Sequence, residues 1–194
     1  MKPSDIKDFP FAMTEQNKNT VYSLAQEVPD GGIILEIGSC MGGSSLCLGL
    51  GAPNAYITSY DIFVDRPNDP TPWNGRYGPR SVVANTERLA KYGVTNVEFI
   101  QADSMTLEQF SESIDLLIVD GNHDYEYEHH DLFTHGPAAK VIYVHDYNWI
   151  PNPPDPLFPH GTPGVKRCVH EFLVACPEFY VSHVGIQEIV LRRS

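Results

Sequence analysis

The sequence predicts a doubly wound α/β fold, a three-layer sandwich around a mostly parallel seven-stranded sheet with an antiparallel last strand. Short β-branched runs alternate with stretches of helical length, the pattern of parallel strands joined by crossover helices. Several runs are apolar without alternation, as strands covered on both faces must be. The five parallel candidates are "GIILEIG", "YITSYDI", "NVEFIQAD", "IDLLIVD" and "KVIYVHD".

The two ends of the chain complete this single domain of residues 1–194. In the N-terminal segment, residues 1–30, the apolar spacing predicts a helix over residues 14–28 that begins after Thr14 as N-cap. The final stretch, "FYVSHVGIQEIVLRR", predicts two strands joined at Val184 and Gly185. No helix fits between them, so the pair must be antiparallel.

Two long segments, residues 63–81 and 147–164, are dense in proline and glycine yet carry aromatic residues. Long loops in a compact domain are often functional lids, and disorder is the alternative. We expect lids that exclude water from a ligand through four aromatic side chains: Trp73, Tyr77, Trp149 and Phe158.

The amino-acid composition restricts which kinds of molecule the protein is expected to bind. Twenty-five acidic against 13 basic residues give a formal charge of −12, which repels phosphate backbones and anionic membrane surfaces. Neither a signal peptide nor an apolar run of ~20 residues is present, so a cytoplasmic protein without nucleic-acid or membrane partners is expected. The four cysteines lack CxxC spacing, which favours buried, reduced thiols. The sequence does not decide between a monomer and a homodimer.

A glycine-rich turn follows the first predicted strand in "LEIGSCMGGSSLCLGL". Glycines let the backbone approach a ligand, and the following helix directs free N–H groups at it. A dinucleotide fingerprint is disfavoured because Cys40 stands where its second glycine is needed, and no G-K-[ST] follows for a phosphate loop. A nucleoside without phosphates fits better, although a plain tight turn is the alternative. The candidate binding residues are Glu36, Gly38, Ser39, Gly42, Gly43 and Ser44.

Acidic residues end the next strands as well. Asp61, followed by Ile62, lies ~20 residues beyond the turn, where a ribose-binding acid is expected. Its alternative role is a helix N-cap. Asp103 and Ser104 end the third strand, where a side chain could meet an adenine edge, and Asp120 ends the fourth. Successive strand ends form the crevice that open α/β sheets use for ligands.

Four motifs in this order, "LEIGSCMGGSSL", "ITSYDI", "VEFIQADS" and "LLIVDGNHDYE", resemble motifs one to four of the class I S-adenosylmethionine-dependent methyltransferases. With "VHDY" and "PGVKRCVHEF" behind them, the chain is most similar to the subgroup of macrocin-type and other sugar O-methyltransferases. The resemblance implies the Rossmann-like methyltransferase fold and S-adenosylmethionine as cofactor. It also implies a divalent ion, usually Mg²⁺, on acids at the ends of strands four and five.

A dense run of acidic residues and histidines follows the fourth strand in "DGNHDYEYEHHDL". We expect a helix over residues 123–135 whose stripe of Tyr125, His129, Leu132 and Phe133 faces the sheet. The remaining polar residues are expected to be solvated or at the surface: Asp124, Glu126, Glu128, His130, Asp131 and His135.

Two acids and two histidines are left as chemical candidates. Asp120 ends a buried strand and needs a positive partner, and the fifth strand places His145 and Asp146 beside it. The residues predict a metal site of Asp120, His145 and Asp146 for Mg²⁺ or, with an imidazole ligand, a softer ion such as Mn²⁺ or Zn²⁺. The alternatives are a hydrogen-bonded substrate pocket without an ion and, for His123, a structural place at a helix start. As catalytic residues we expect His123 or His145 as base, with Asp120.

Together with these residues, the resemblance implies methyl transfer to a hydroxyl of a small molecule such as a sugar or glycoside. Positioning should dominate the catalysis, because the reaction is an in-line displacement. Two alternatives stay open: a nicotinamide-dependent oxidoreductase, and a non-catalytic nucleoside-binding protein of the same fold.

Overall fold

The structure is a computed structural model, and it describes residues 1–63, 80–150 and 162–194. The described residues form seven strands and five α-helices. In chain order they are α1 Glu15–Gln26, β1 Ile33–Ile37, α2 Gly43–Gly51, β2 Tyr56–Asp61, α3 Val82–Ala90, β3 Val97–Gln101, β4 Ile114–Val119, α4 Tyr125–His135, β5 Ala139–Val144, α5 Pro163–Ala175, β6 Phe179–Val184 and β7 Ile189–Arg193.

All seven strands belong to one sheet in the order β3-β2-β1-β4-β5-β7-β6. The five predicted strands pair in parallel, and β7 runs antiparallel to both β5 and β6. The predicted mostly parallel sheet with an antiparallel last strand is therefore confirmed.

Helices cover both faces of the sheet, as the apolar strand runs predicted. On β4, Leu116 and Ile118 pack with α1 and α2, whereas Leu117 and Val119 pack with α4 and α5. Because both sets of side chains are buried, β4 shows no polar alternation. A third cluster joins α3 to the N-terminal segment through Leu89, Ile6 and Phe9.

Helix α1 begins after Thr14, whose hydroxyl accepts a hydrogen bond from the Asn17 amide, so the predicted N-cap is confirmed. A buried contact ties the helix to the end of the sheet. The Asn17 Nδ2 donates to Glu188 at 2.6 Å, and Glu188 is completely buried between β6 and β7.

The remaining predictions about the chain have mixed outcomes. The four cysteines are free; Cys47 and Cys168 are buried as expected, while Cys40 and Cys176 are partly exposed. Within the described ranges, no helix is long and apolar enough to cross a membrane. Most of the two expected lids, including Trp73, Tyr77 and Phe158, lies outside the described residues, whereas Trp149 is described and half-buried.

Candidate functional site

The carboxyl ends of the parallel strands meet along one edge of the sheet. Ile37 of β1 pairs with Tyr60 of β2 and Val119 of β4, which fixes the register at that edge. Beyond the strand ends, two backbone bonds continue the pairing: the Gly38 amide donates to Tyr60 at 2.8 Å and the Asp120 amide to Ile37 at 2.9 Å. The glycine turn and Asp120 are thereby fixed side by side.

The glycine turn requires unusual backbone angles. Gly38 and Gly42 have φ values of 92° and 81°. A Cβ on Gly38 would lie 2.0 Å from the carbonyl oxygen of Asp120, so no larger residue fits at this position. Cys40 is left-handed as well, with φ 47°, although it carries a side chain.

A cleft with an empty volume of about 280 Å³ opens above this turn. Its walls come from the turn, from the start of α2, from the end of β4 and from the N-terminal segment. The lining residues are Pro10, Ala12, Met13, Gly38, Ser39, Cys40, Met41, Gly43, Ser44 and Asp120. The N-terminal wall of the cleft was not predicted from the sequence, because residues 10–13 carry no motif. They reach the site only because the N-terminal segment packs against the start of α2.

The cleft offers polar groups to a ligand. The Ser39 hydroxyl is buried and has no hydrogen-bond partner among the described residues, so it is available to a polar ligand. The start of α2, a helix of nine residues, places its positive end beside the same cleft.

Glu36 lies beneath the turn rather than in the cleft wall. It is completely buried, and its Oε2 accepts hydrogen bonds of 2.5 Å from the hydroxyls of Ser45 and Ser59. Burial raises the pKa of Glu36 to about 7, and the serine hydroxyls offset part of that shift. The geometry makes Glu36 a support of the turn, while its predicted contact with a cofactor stays a prediction.

The acids at the ends of β2 and β3 hold the backbone around them. Asp61 accepts from the amide of Cys40 at 2.7 Å and from that of Phe63 at 2.7 Å, so it links the turn to β2. Asp103 accepts from the Met105 amide at 3.0 Å, and the adjacent Ser104 is buried. Ile62 is exposed, at 41%. Their predicted roles toward ribose and adenine stay predictions.

Two acids and two histidines converge at the ends of β4 and β5. The Nδ1 of His145 lies 3.0 Å from Asp120 Oδ1 and 3.3 Å from Asp146 Oδ1. His123 reaches the same acids, with Nε2 at 3.6 Å from Asp120 and Nδ1 at 3.4 Å from Asp146. Asp146 has a left-handed φ of 52°, another strained residue at this edge.

Mutual charge stabilisation shifts the pKa values of this cluster. Burial disfavours charge on His145, but Asp120 and Asp146 outweigh burial and raise the pKa of His145 to about 9. Burial opposes the ionised Asp120 as well, yet His145 and His123 lower the pKa of Asp120 to about 2. Burial opposes charge on His123, and its acidic neighbours still raise its pKa. At neutral pH these shifts favour an imidazolium at His145 beside an ionised Asp120, whereas burial raises the pKa of Asp146.

The same cluster offers a cation site. Ligand atoms of Asp120, His123 and Asp146 lie within 4.8 Å of one another. The set differs from the predicted one in its histidine, since His123 takes the place of His145. Two carboxylate oxygens and one imidazole nitrogen fit Mg²⁺, Mn²⁺ or a softer divalent ion, which would replace the protons on the histidines.

Helix α4 contradicts part of the sequence analysis. Glu128 and Asp131 were expected in solvent, but they are 1% and 0% exposed, and His135 is 1% exposed. Of the predicted apolar stripe, Leu132 is buried against the sheet as expected. The outer members pack beside α5: Arg167 lies 4.2 Å from the ring centroid of Tyr125, and Phe133 contacts Phe172. The helix is thus rotated so that its acidic face, not Tyr125 and Phe133, lies innermost.

A family described as a methyltransferase domain matches residues 35–147, which is more than half of the chain. The chain belongs to this methyltransferase family. The matched range begins in β1 before the glycine turn and ends just after Asp146, so it contains the glycine turn and the Asp/His cluster. The predicted class I methyltransferase resemblance is confirmed. No curated protein matches the chain.

Solved methyltransferases share the fold. The S-adenosylhomocysteine-bound methyltransferase PaMTH1 of Podospora anserina is 20% identical, with a TM-score of 0.68 over 96% of this chain and 83% of that one. The O-methyltransferase TomG of Streptomyces achromogenes, involved in tomaymycin synthesis and solved with S-adenosylmethionine, is 24% identical, with a TM-score of 0.62 over 98% and 83%. An rRNA methylase of Streptococcus thermophilus is 12% identical, with a TM-score of 0.59 over 94% and 99%.

Proposed function

We propose that this methyltransferase binds S-adenosylmethionine in the cleft above the glycine turn and transfers its methyl group to a hydroxyl oxygen of a small molecule. The observation that carries the proposal is the position of Asp120. This residue lines the cleft and also contacts His145 at 3.0 Å. A methyl donor in the cleft and an acceptor over the Asp/His cluster would therefore be neighbours.

The reaction needs few chemical groups from the protein. When bound, the sulfonium supplies an electrophilic methyl carbon; the C–S bond breaks as the C–O bond forms, and sulfur keeps the electron pair. The protein holds the acceptor oxygen in line and removes its proton. His123 is the better placed base, because its side chain is 17% exposed against 8% for His145, which stacks over Tyr143.

A divalent ion fits the same proposal. Asp120, His123 and Asp146 would hold it, and a bound ion lowers the pKa of a coordinated hydroxyl. Since binding must displace protons from imidazole, and the pKa values of both histidines are raised, Mn²⁺ affinity is expected to increase from pH 6 to pH 9. Titration calorimetry with MnCl₂ measures this, and His123→Ala should weaken binding at every pH. A Mn²⁺ affinity that does not change from pH 6 to pH 9, or that His123→Ala does not weaken, contradicts the proposed metal site.

Calorimetry with S-adenosylhomocysteine tests cofactor binding, and transfer of a radioactive methyl group to a panel of diols, catechols and glycosides tests the reaction. Binding with turnover that His123→Gln lowers by about 100-fold supports the proposal. Binding without turnover of any acceptor favours the nucleoside-binding alternative. No heat with S-adenosylhomocysteine but binding of NADH would establish the oxidoreductase alternative.

A further inference from the structure

Two side chains of α3 hold the outer side of the glycine turn. The Asn85 Nδ2 donates to the carbonyl oxygen of Cys40 at 3.1 Å. The Arg88 Nη1 donates to the carbonyl oxygen of Met41 at 2.9 Å and to Asn85 Oδ1 at 2.7 Å. Asn85 is completely buried and Arg88 is partly buried, so the network extends from the interior to the surface of α3.

The network acts on a residue in an unfavourable conformation. Cys40 has φ 47°, a left-handed conformation that is unfavourable for a residue with a side chain. The peptide groups on both sides of Cys40 are held by side chains. Its amide donates to Asp61 of β2 at 2.7 Å, and its carbonyl accepts from Asn85 of α3.

The turn faces α3 on one side and the cleft on the other. Asn85 also fills the space beside Gly42, where an added Cβ would lie 3.6 Å from its amide group. On the opposite side the turn contributes Gly38 and Ser39 to the cleft wall. If the carbonyls lost their partners, Cys40 could return to negative φ, and the wall residues would move with it.

We propose that Asn85 and Arg88 are positioning residues for the cofactor: they hold the turn in its left-handed conformation at Cys40 and thereby set the affinity for S-adenosylmethionine. Neither residue lines the cleft, so the effect passes through the turn. The inference rests on the proposed function, in which this cleft is the cofactor site.

The test measures S-adenosylhomocysteine binding by titration calorimetry for Asn85→Ala and Arg88→Met. Each substitution removes a buried hydrogen bond to the turn and is expected to raise Kd about tenfold. Glu87→Ala, on the exposed side of the same helix, is the matched control and keeps the wild-type Kd. Arg88 is only partly buried, so its variant should fold even if Asn85→Ala does not.

A double-mutant cycle with Cys40→Gly separates positioning from general loosening of the fold. Glycine adopts positive φ without strain, so the turn should need the network less. Asn85→Ala is therefore expected to raise Kd only about threefold in the Cys40→Gly background, against about tenfold in the wild type.

The inference is overturned if Asn85→Ala raises Kd equally in the wild-type and Cys40→Gly backgrounds, or if neither Asn85→Ala nor Arg88→Met raises Kd. Either result leaves the proposed function intact. Absence of binding by the wild-type chain overturns the proposed function itself. Melting temperatures recorded for every variant show whether a loss of affinity reflects an unfolded fraction.

Discussion

Asp120 lines the cleft and also belongs to the Asp/His cluster. Its negative charge raises the pKa of the neighbouring His145 imidazole. We expect Asp120→Asn to lower the pKa of His145 from about 9 by roughly one to two units, because the neutral amide no longer stabilises the imidazolium. NMR titration of the imidazole resonances measures the shift. Asp124→Asn, at an exposed position nearby, is the control and should leave the His145 titration unchanged. A His145 pKa that stays near 9 in Asp120→Asn would show that another group holds the charge.

Asp131 is a buried acid that the methyl-transfer proposal does not use. Burial raises its pKa from 3.8 to about 6, and the neighbouring Ser104 hydroxyl offsets only part of this shift. Between pH 3.8 and about pH 6, the Asp131 carboxyl is protonated in the folded state and ionised in the unfolded state. The stability that this proton provides is present below pH 4 and is lost as pH rises to about 6.

Asp131→Asn should remove this pH dependence. Relative to wild type, the variant is expected to gain up to about 3 kcal/mol in unfolding free energy between pH 4 and pH 6, with no further gain above. Urea denaturation at a series of pH values measures the difference, with exposed Glu126→Gln as the control. A difference that does not grow with pH would mean that Asp131 stays ionised in the fold.

Glu128 and Asp131 show why sequence reasoning about side chains failed on α4. The reasoning assigned acids to solvent because an isolated buried carboxylate is costly. It could not include α5, whose Arg167 and Phe172 give Tyr125 and Phe133 an alternative surface to pack on. By contrast Asp120, His145 and Asp146 were predictable as a cluster, because strand ends fix their position regardless of helix rotation.

Helix α1 is tied to the last hairpin through Glu188, which accepts hydrogen bonds from the buried Asn17 at 2.6 Å and from the Thr20 hydroxyl at 3.2 Å. Asn17→Ala would leave the buried carboxylate of Glu188 without its 2.6 Å donor, so we expect a loss of about 2–4 kcal/mol in unfolding free energy. Chemical denaturation measures it. Asn19→Ala, exposed on the same helix, should cost less than about 1 kcal/mol. Equal effects of the two substitutions would show that the contact contributes little.

The elements themselves were largely predictable. Several parallel strands, β4 above all, were apolar runs because helices cover both faces, and the hairpin followed from the absence of room for a helix. Helix α1 was recognisable by its cap and its apolar spacing. The N-terminal segment was not, because residues 1–13 have no periodicity and acquire their place only by packing Phe9 against the α3 region.

The sheet as a whole places the candidate functional residues at one edge. Residues from the glycine turn to Asp146 are far apart in sequence, yet parallel strands in fixed register deliver all of them to the same side. The sequence could predict this edge because topology alone determines it. The acceptor could not be predicted, since the fold serves small-molecule and RNA methylation alike in the solved neighbours.

Net charge distinguishes these two classes of acceptor. A formal charge of −12 with only 13 basic residues repels a phosphate backbone, so we expect no binding of a short RNA hairpin below about 100 µM. Fluorescence anisotropy at low and high salt, with S-adenosylhomocysteine present, measures this. A micromolar affinity that weakens steeply with salt would reveal a local basic surface despite the overall charge. It would also shift the proposed acceptor from a small hydroxylated molecule to RNA.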